Sequence, residues 1–243
     1  MNLILFEENE LGKPLLKGDP RAAHLTKTLR KAAGDEFDAG VLWGRRGKGR
    51  IERIGGGGEL FFSLFLTESP PARLPVTVTA GFPRPIQTRR LLRDLSSRGV
   101  CEITLAGCDL GDKNYLNTTL LEDGGARAAL VDGAVQARDT TLPRLAVFRS
   151  LGAWLEQAPW TDGARPRLIA CDNVDPQGDL SAESRGEGHV ALAIGPERGW
   201  SDWERLQLEA AGFKRLSLGR RALRVETACV AAVAAVQIIN RLG

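Results

Sequence analysis

Histidine and cysteine are scarce: two and four in 243 residues. The cysteines, Cys101, Cys108, Cys171 and Cys229, form no CxxC pair. Ligands so few and so scattered exclude a zinc site, and no metal is expected. Buried, reduced thiols of a cytoplasmic protein are the natural reading. No apolar run reaches the roughly 18–20 residues that span a bilayer. The longest, Ala228 to Val236, reads as a buried helix, so no membrane partner is expected. Glu7 and Glu8 stand near the N-terminus without a basic flank, which argues against a signal peptide. GxGxxG is missing where a dinucleotide site would need it; Gly81-Phe82-Pro83-Arg84 stands there instead, which excludes NAD or FAD. Gly55 to Gly58 lack the lysine and hydroxyl of a phosphate loop and read as a hairpin turn.

Excess charge of one sign is missing too. The net charge is +3, so overall basicity does not argue for nucleic acid. Its distribution argues more. Between Arg21 and Arg53 there are nine Lys/Arg against four Asp/Glu. Between Arg84 and Arg98 five arginines face one acid, Asp94. Guanidinium forks suit phosphate oxygens and stack on bases. The 21–53 patch is therefore a candidate RNA footprint.

Thr67 to Pro75 holds three prolines in a stretch that can be neither helix nor central strand. It divides the chain into a unit over 1–68, a linker over 69–75 and a unit over 76–243. The first unit reads mostly as strand: Leu3 to Phe6, Glu36 to Gly40, Gly49 to Ile54 and Leu60 to Leu66, with a helix-like stretch from Arg21 to Ala32. A small β-barrel with a short helix is its natural architecture. The second unit alternates. Strands are expected at Val76–Ala80, Ile103–Ala106, Arg167–Cys171, Val190–Ile194 and Phe213–Leu218. Helices are expected at Gln87–Ser97, Arg127–Ala137, Ser150–Gln157, Ser201–Ala211 and Glu226–Leu242. Ser201 with Glu204 three residues on forms a capping box. Such alternation implies an α/β fold, a mainly parallel sheet with helices on both faces.

Two segments stand out. Ala193-Ile194-Gly195-Pro196-Glu197-Arg198-Gly199-Trp200-Ser201 and Leu218-Gly219-Arg220-Arg221-Ala222-Leu223-Arg224-Val225-Glu226-Thr227-Ala228 each lead from a strand into a helix. Such turns offer free backbone N–H groups and a positive dipole end to a ligand. Two of them, with glycine at the strand ends, predict one pocket at adjacent strand ends.

These segments resemble the signature loops of the SPOUT superfamily of RNA methyltransferases, RsmE type, which methylates N3 of a uridine in 16S ribosomal RNA. That family shows Ile-Gly-Pro-Glu-Gly-Gly and Leu-Gly-x-Arg-x-Leu-Arg-x-Glu-Thr-Ala. The second pattern is matched at every fixed position and the first with one change, at Arg198. The resemblance implies S-adenosyl-L-methionine (SAM) as cofactor, a C-terminal trefoil knot and a homodimer. It also implies a PUA-like RNA-binding barrel over 1–68 and ribosomal RNA or the small ribosomal subunit as partner. His24-Leu25-x-x-x-Leu29-Arg30 with Gly34-Asp35 is similar to elements of that barrel.

Carried over, the resemblance implies a cofactor site from Cys171, Ile194, Gly195, Pro196, Gly199, Leu218, Gly219, Leu223, Glu226, Thr227 and Ala228. Arg224 is expected to stabilise the uridine anion, with Glu197 as a second catalytic candidate. Arg21, His24, Lys27, Arg30, Arg45, Arg46, Lys48 and Arg84 are the candidate RNA contacts. Departures lie elsewhere: Val135-Gln136-Ala137-Arg138-Asp139 and Ser97-Arg98-Gly99-Val100 keep little of the family's pattern. A methyltransferase on another RNA, or a catalytically silent RNA-binding protein of the same fold, stays open on the sequence.

Overall fold

A computed structural model describes residues 3–157, 166–183 and 185–242. The chain divides into two compact units, Met1–Pro71 with Ala134–Leu142, and Ala72–Gly133 with Pro143–Gly243. The proline-rich stretch marks this division. Residues 134–142 are the difference: the sequence reading keeps them in the second unit, whereas their contacts group them with the first. Leu3 N–H donates to Val135 O at 3.3 Å, and Thr140 Oγ1 donates to Gly44 O at 2.6 Å.

In the first unit, β1 (Ile4–Phe6), β2 (Glu36–Val41), β3 (Arg46–Ile54) and β4 (Leu60–Glu68) form one sheet in that order. β1 pairs parallel with β2; the other pairings are antiparallel. The expected helix over 21–32 is shorter. α1 (Pro20–Ala23) starts at Asp19, whose carboxylate accepts from Arg21 N–H at 2.8 Å. It runs into one wide turn over His24–Thr28, and Arg30 at φ 53° ends the run. Ile4, Phe6, Leu25, Phe37, Ile51 and Leu60 make the core. The glycine run is a turn between β3 and β4, with Gly58 N–H donating to Gly55 O at 3.0 Å.

The second unit holds β5 (Leu74–Gly81), α2 (Pro85–Ser97), β6 (Val100–Ala106), α3 (Thr119–Glu122), all but the last turn of α4 (Gly125–Ala137), and β7 (Arg144–Phe148). There follow α5 (Leu151–Gln157), β8 (Arg167–Cys171), α6 (Leu180–Glu183), β9 (Val190–Ile194), α7 (Asp202–Ala210), β10 (Lys214–Leu216) and α8 (Val225–Ile239). The strands form one sheet in the order β10-β8-β9-β5-β6-β7, parallel at every pairing. The central β9 is buried at all five positions, as a strand covered on both faces must be. α8 packs on α2, β5 and β9. α5 and α7 share a cluster of Trp154, Trp200, Leu208 and Phe213 with Ala170 and Ala193 of the sheet.

Several boundaries differ from the sequence reading; β6, for one, begins at Val100 rather than Ile103. β5 begins at Leu74, inside the expected linker. β10 is shorter than Phe213–Leu218, and α8 ends at Ile239. β7, an edge strand with no buried position, has no clear signal in the sequence. Among the described residues no helix is long and apolar enough to cross a membrane, and no cluster of His, Cys, Asp and Glu could hold a metal.

Candidate functional site

β6 and β7 lie to one side of β5, and β9, β8 and β10 to the other. Ligands of open α/β sheets bind beyond the carboxyl ends of strands where the order reverses. Here the register aligns three strand ends: Cys171 pairs with Ile194, and Leu216 with Cys171. The loops that follow β8, β9 and β10 therefore leave the sheet at one level. Together they form a pocket lined by Cys171 to Val174, Ile194 to Trp200, Arg205, Leu218, Ala222, Leu223 and Ala228.

The loop after β9 is shaped by its glycines. A Cβ on Gly195 would lie 3.2 Å from the Gly199 carbonyl carbon and 3.3 Å from Trp200 Cδ2, so the loop folds back onto it. Gly199 holds φ 74°, a conformation glycine adopts freely. Arg198 is not in the left-handed region, so the departure at that position carries no backbone strain. Trp200, buried, donates from Nε1 to Cys171 O at 3.3 Å and ties this loop to the end of β8. Ser201 and Glu204 then form the expected capping box of α7, with bonds of 3.1 and 2.9 Å. The second oxygen of buried Glu204 accepts from Asp109 N–H at 2.9 Å and pins the loop after β6 to the same helix start.

At the end of β8 the buried Asp172 accepts from Val174 N–H at 3.0 Å and from Arg205 Nε at 2.7 Å. The carboxylate pushes the Arg205 guanidinium further toward its charged form. Burial, then the Asp172 charge, pushes the Cys171 thiol up to about 12. Burial and the Glu204 carboxylate push Cys108 up as well. Thiols held so high are protonated at neutral pH and are poor nucleophiles.

Eight of the expected cofactor residues line this one pocket: Cys171, Ile194, Gly195, Pro196, Gly199, Leu218, Leu223 and Ala228. Gly219, Glu226 and Thr227 do not. Gly219, at φ 116°, shapes the turn; Glu226 is buried in the first turn of α8, its Oε2 without a hydrogen-bond partner among the described residues. Arg224 caps α8 through its backbone, and its exposed side chain has no ion pair among the described residues. Glu197 is exposed and accepts from Arg84 N–H at 3.4 Å, not from Arg224. Arg205 and Val174 were not expected. An acid at the very end of a buried strand calls for a cation, but nothing in the sequence says which one.

The candidate RNA contacts fall into two groups. Lys27, Arg30, Arg45 and Arg84 are exposed. Arg21 instead binds Glu10, Asp19 at 2.8 Å and the Leu5 carbonyl at 3.0 Å. Arg46 and Lys48 are engaged by Glu68 at 3.2 Å and Asp38 at 2.8 Å. His24 is half-buried, its Nε2 without a partner among the described residues.

A parallel α/β sheet with a pocket beyond the ends of β8, β9 and β10 defines the class. Within that class the chain belongs to the RNA methyltransferase domain family, whose model matches residues 70–237. It is 38% identical to ribosomal RNA small subunit methyltransferase E of Treponema pallidum, over 97% of this chain and 90% of that one. It is 27% identical to ribosomal RNA small subunit methyltransferase E 1 of Borreliella burgdorferi, over 99% and 100%. The fold is similar to that of a ribosomal RNA small subunit methyltransferase E from Neisseria gonorrhoeae bound to SAM. That match has a TM-score of 0.72, 18% identity and coverage of 99% and 98%. A Legionella pneumophila methyltransferase with bound SAM matches with a TM-score of 0.73, 20% identity and 99% coverage of both chains.

Proposed function

We propose that this protein transfers a methyl group from SAM to N3 of a uridine in 16S ribosomal RNA. One observation carries the reading: the two signature loops, 23 residues apart from Gly195 to Leu218, line a single pocket. The residues fit the cofactor. Ile194, Leu218, Leu223 and Ala228 give apolar walls for a purine ring, and the glycine turns leave backbone donors and acceptors within reach. The bound cofactor supplies an electrophilic methyl group.

The protein's own part is positioning and charge. Cys171 to Val174 and the 195–200 loop orient the cofactor. Uracil N3–H is a weak acid, and negative charge grows on O2 and O4 as its proton passes to solvent water and N3 takes the methyl group. Arg224, exposed and without an ion pair among the described residues, stabilises that charge with its guanidinium. Glu197 holds the start of α2 and the wall of the site through the Arg84 N–H.

Three further readings belong here. The chain after β10 passes the 177–180 segment, where Asp179 pairs with Ser217, before α8 returns to β5 and β9; this supports a trefoil knot. The four-stranded sheet and short helix of the first unit support a PUA-like RNA-binding barrel over 1–68, with Lys27, Arg30 and Arg45 as exposed cations. Ile238, on the alanine- and valine-rich α8, is 76% exposed and supports a homodimer. The test of the main reading is incubation of 16S ribosomal RNA with protein and SAM, followed by nucleoside mass spectrometry. 3-Methyluridine is expected; a methyl group on ribose or on another base overturns the reading.

A further inference from the structure

We propose that a cleft beside the cofactor pocket seats two consecutive nucleotides of the RNA strand, the target and its neighbour. The inference rests on the reading above. Two cavities run in series. The smaller, about 350 Å³, lies between Arg84, Tyr115 and the Glu197-Arg198 pair. Glu197 and Arg198 also line the cofactor pocket, so this compartment opens beside the methyl donor. Gly111 and Asp112 join it to the larger compartment, about 470 Å³, lined by Phe82 and Leu116 with Lys113 and Arg149. Both volumes lie in the range of pockets that enclose small ligands.

The cleft carries four cations, Arg84, Lys113, Arg149 and Arg198, against three carboxylates. Its acids hydrogen-bond to backbone and hydroxyl groups of the protein. Asp112 accepts from Asn114 N–H at 2.9 Å, Asp109 bonds Ser201 Oγ at 2.5 Å, and Glu197 accepts from Arg84 N–H. Arg84, Lys113, Arg149 and Arg198 are exposed, and none has an ion pair among the described residues. Four unengaged cations around apolar and aromatic walls suit phosphates outside and bases within. The arrangement is also held in place. Glu204 joins the loop after β6 to the start of α7, where the cofactor loop ends. A base in the smaller compartment is thereby kept in register with the cofactor.

Photo-crosslinking tests the cleft. 16S ribosomal RNA containing 4-thiouridine is irradiated with the full protein and S-adenosylhomocysteine, and the crosslinked peptides are mapped by mass spectrometry. Crosslinks within 107–117 and at 149–150 are expected. Lys113→Ala with Arg149→Ala should lower RNA affinity about tenfold and leave SAM affinity unchanged. Tyr115→Ala should raise KM for RNA more than it lowers kcat. Crosslinks confined to other segments, or wild-type RNA affinity in the double variant, would overturn the cleft. A wild type that crosslinks here yet transfers no methyl group supports the cleft and overturns the methyltransferase reading.

Discussion

Arg224 and Gly195 carry the account at the scale of single residues, for opposite reasons. Arg224 is free: it caps α8 with its backbone and leaves its guanidinium in solvent. If it stabilises the uridine anion, its value lies in the transition state. Arg224→Ala should slow single-turnover methylation by about 10²–10³ at saturating SAM and RNA. Arg224→Lys should recover only part of the rate, because the charge stays and the planar fork goes. A near-normal rate for Arg224→Ala would make the residue merely structural. Gly195 is crowded. A single methyl group there presses on the Gly199 backbone, so Gly195→Ala should already weaken SAM binding, by about 1–2 kcal/mol, and Gly195→Val more. Calorimetry on the folded variants checks this; unchanged affinity would move the cofactor elsewhere.

Arg21 shows what charge at one residue does to stability. It holds Glu10 and Asp19 below their ordinary values of 4.5 and 3.8, chiefly through its hydrogen bonds to them. Carboxylates with lowered native pKa values stabilise the fold above their unfolded values. That stability is lost as pH falls through the native ones. Arg21→Ala should therefore lower the thermal midpoint at neutral pH, and the gap to wild type should close below about pH 4. A gap constant across that titration would remove the two carboxylates from the stability of the first unit.

Elements hold these residues in place, and α7 does the most. Its capping box is satisfied twice over: Glu204 bonds the Ser201 N–H and the Asp109 N–H. Glu204→Ala removes a buried acceptor and leaves two donors unmet, which costs about 2–3 kcal/mol. In a unit of this size that is a fall of roughly 5–10 °C in Tm. SAM binding should weaken too if the 195–200 loop holds the cofactor, since that loop ends at the cap. Calorimetric melting with and without SAM reads both effects.

This element shows how much the sequence disclosed. Ser201 and Glu204 are three apart before an apolar run, so the cap and the helix were legible. β9 was legible because a five-residue apolar run allows little else, and β8 because four apolar residues follow Arg167. The two loops were legible as one pocket because turn glycines mark strand ends. The edge strand β7 was not, since Arg144 to Phe148 lack the buried alternation of a central strand. Arg205 was not either. Its role depends on Asp172, which lies 33 positions away and meets it only when β8 and α7 stand side by side. The engagement of Arg46 and Lys48 was likewise hidden, because charge clustering in sequence says nothing of which acids stand opposite on a sheet.

The whole molecule combines a pocket lined by both signature loops, a cleft that shares Glu197 and Arg198 with it, and a first unit with exposed cations. The apolar α8, with Ile238 in solvent, predicts a second copy of the chain. Sedimentation at micromolar concentration should give twice the chain mass of 26.3 kDa; a monomer would remove the dimer. The central claim concerns the RNA, and one measurement reaches it most directly. 16S ribosomal RNA is isolated from cells with and without the gene and mapped by mass spectrometry. The account predicts one uridine that carries a methyl group on N3 in the first and loses it in the second. Identical methylation in both would contradict it.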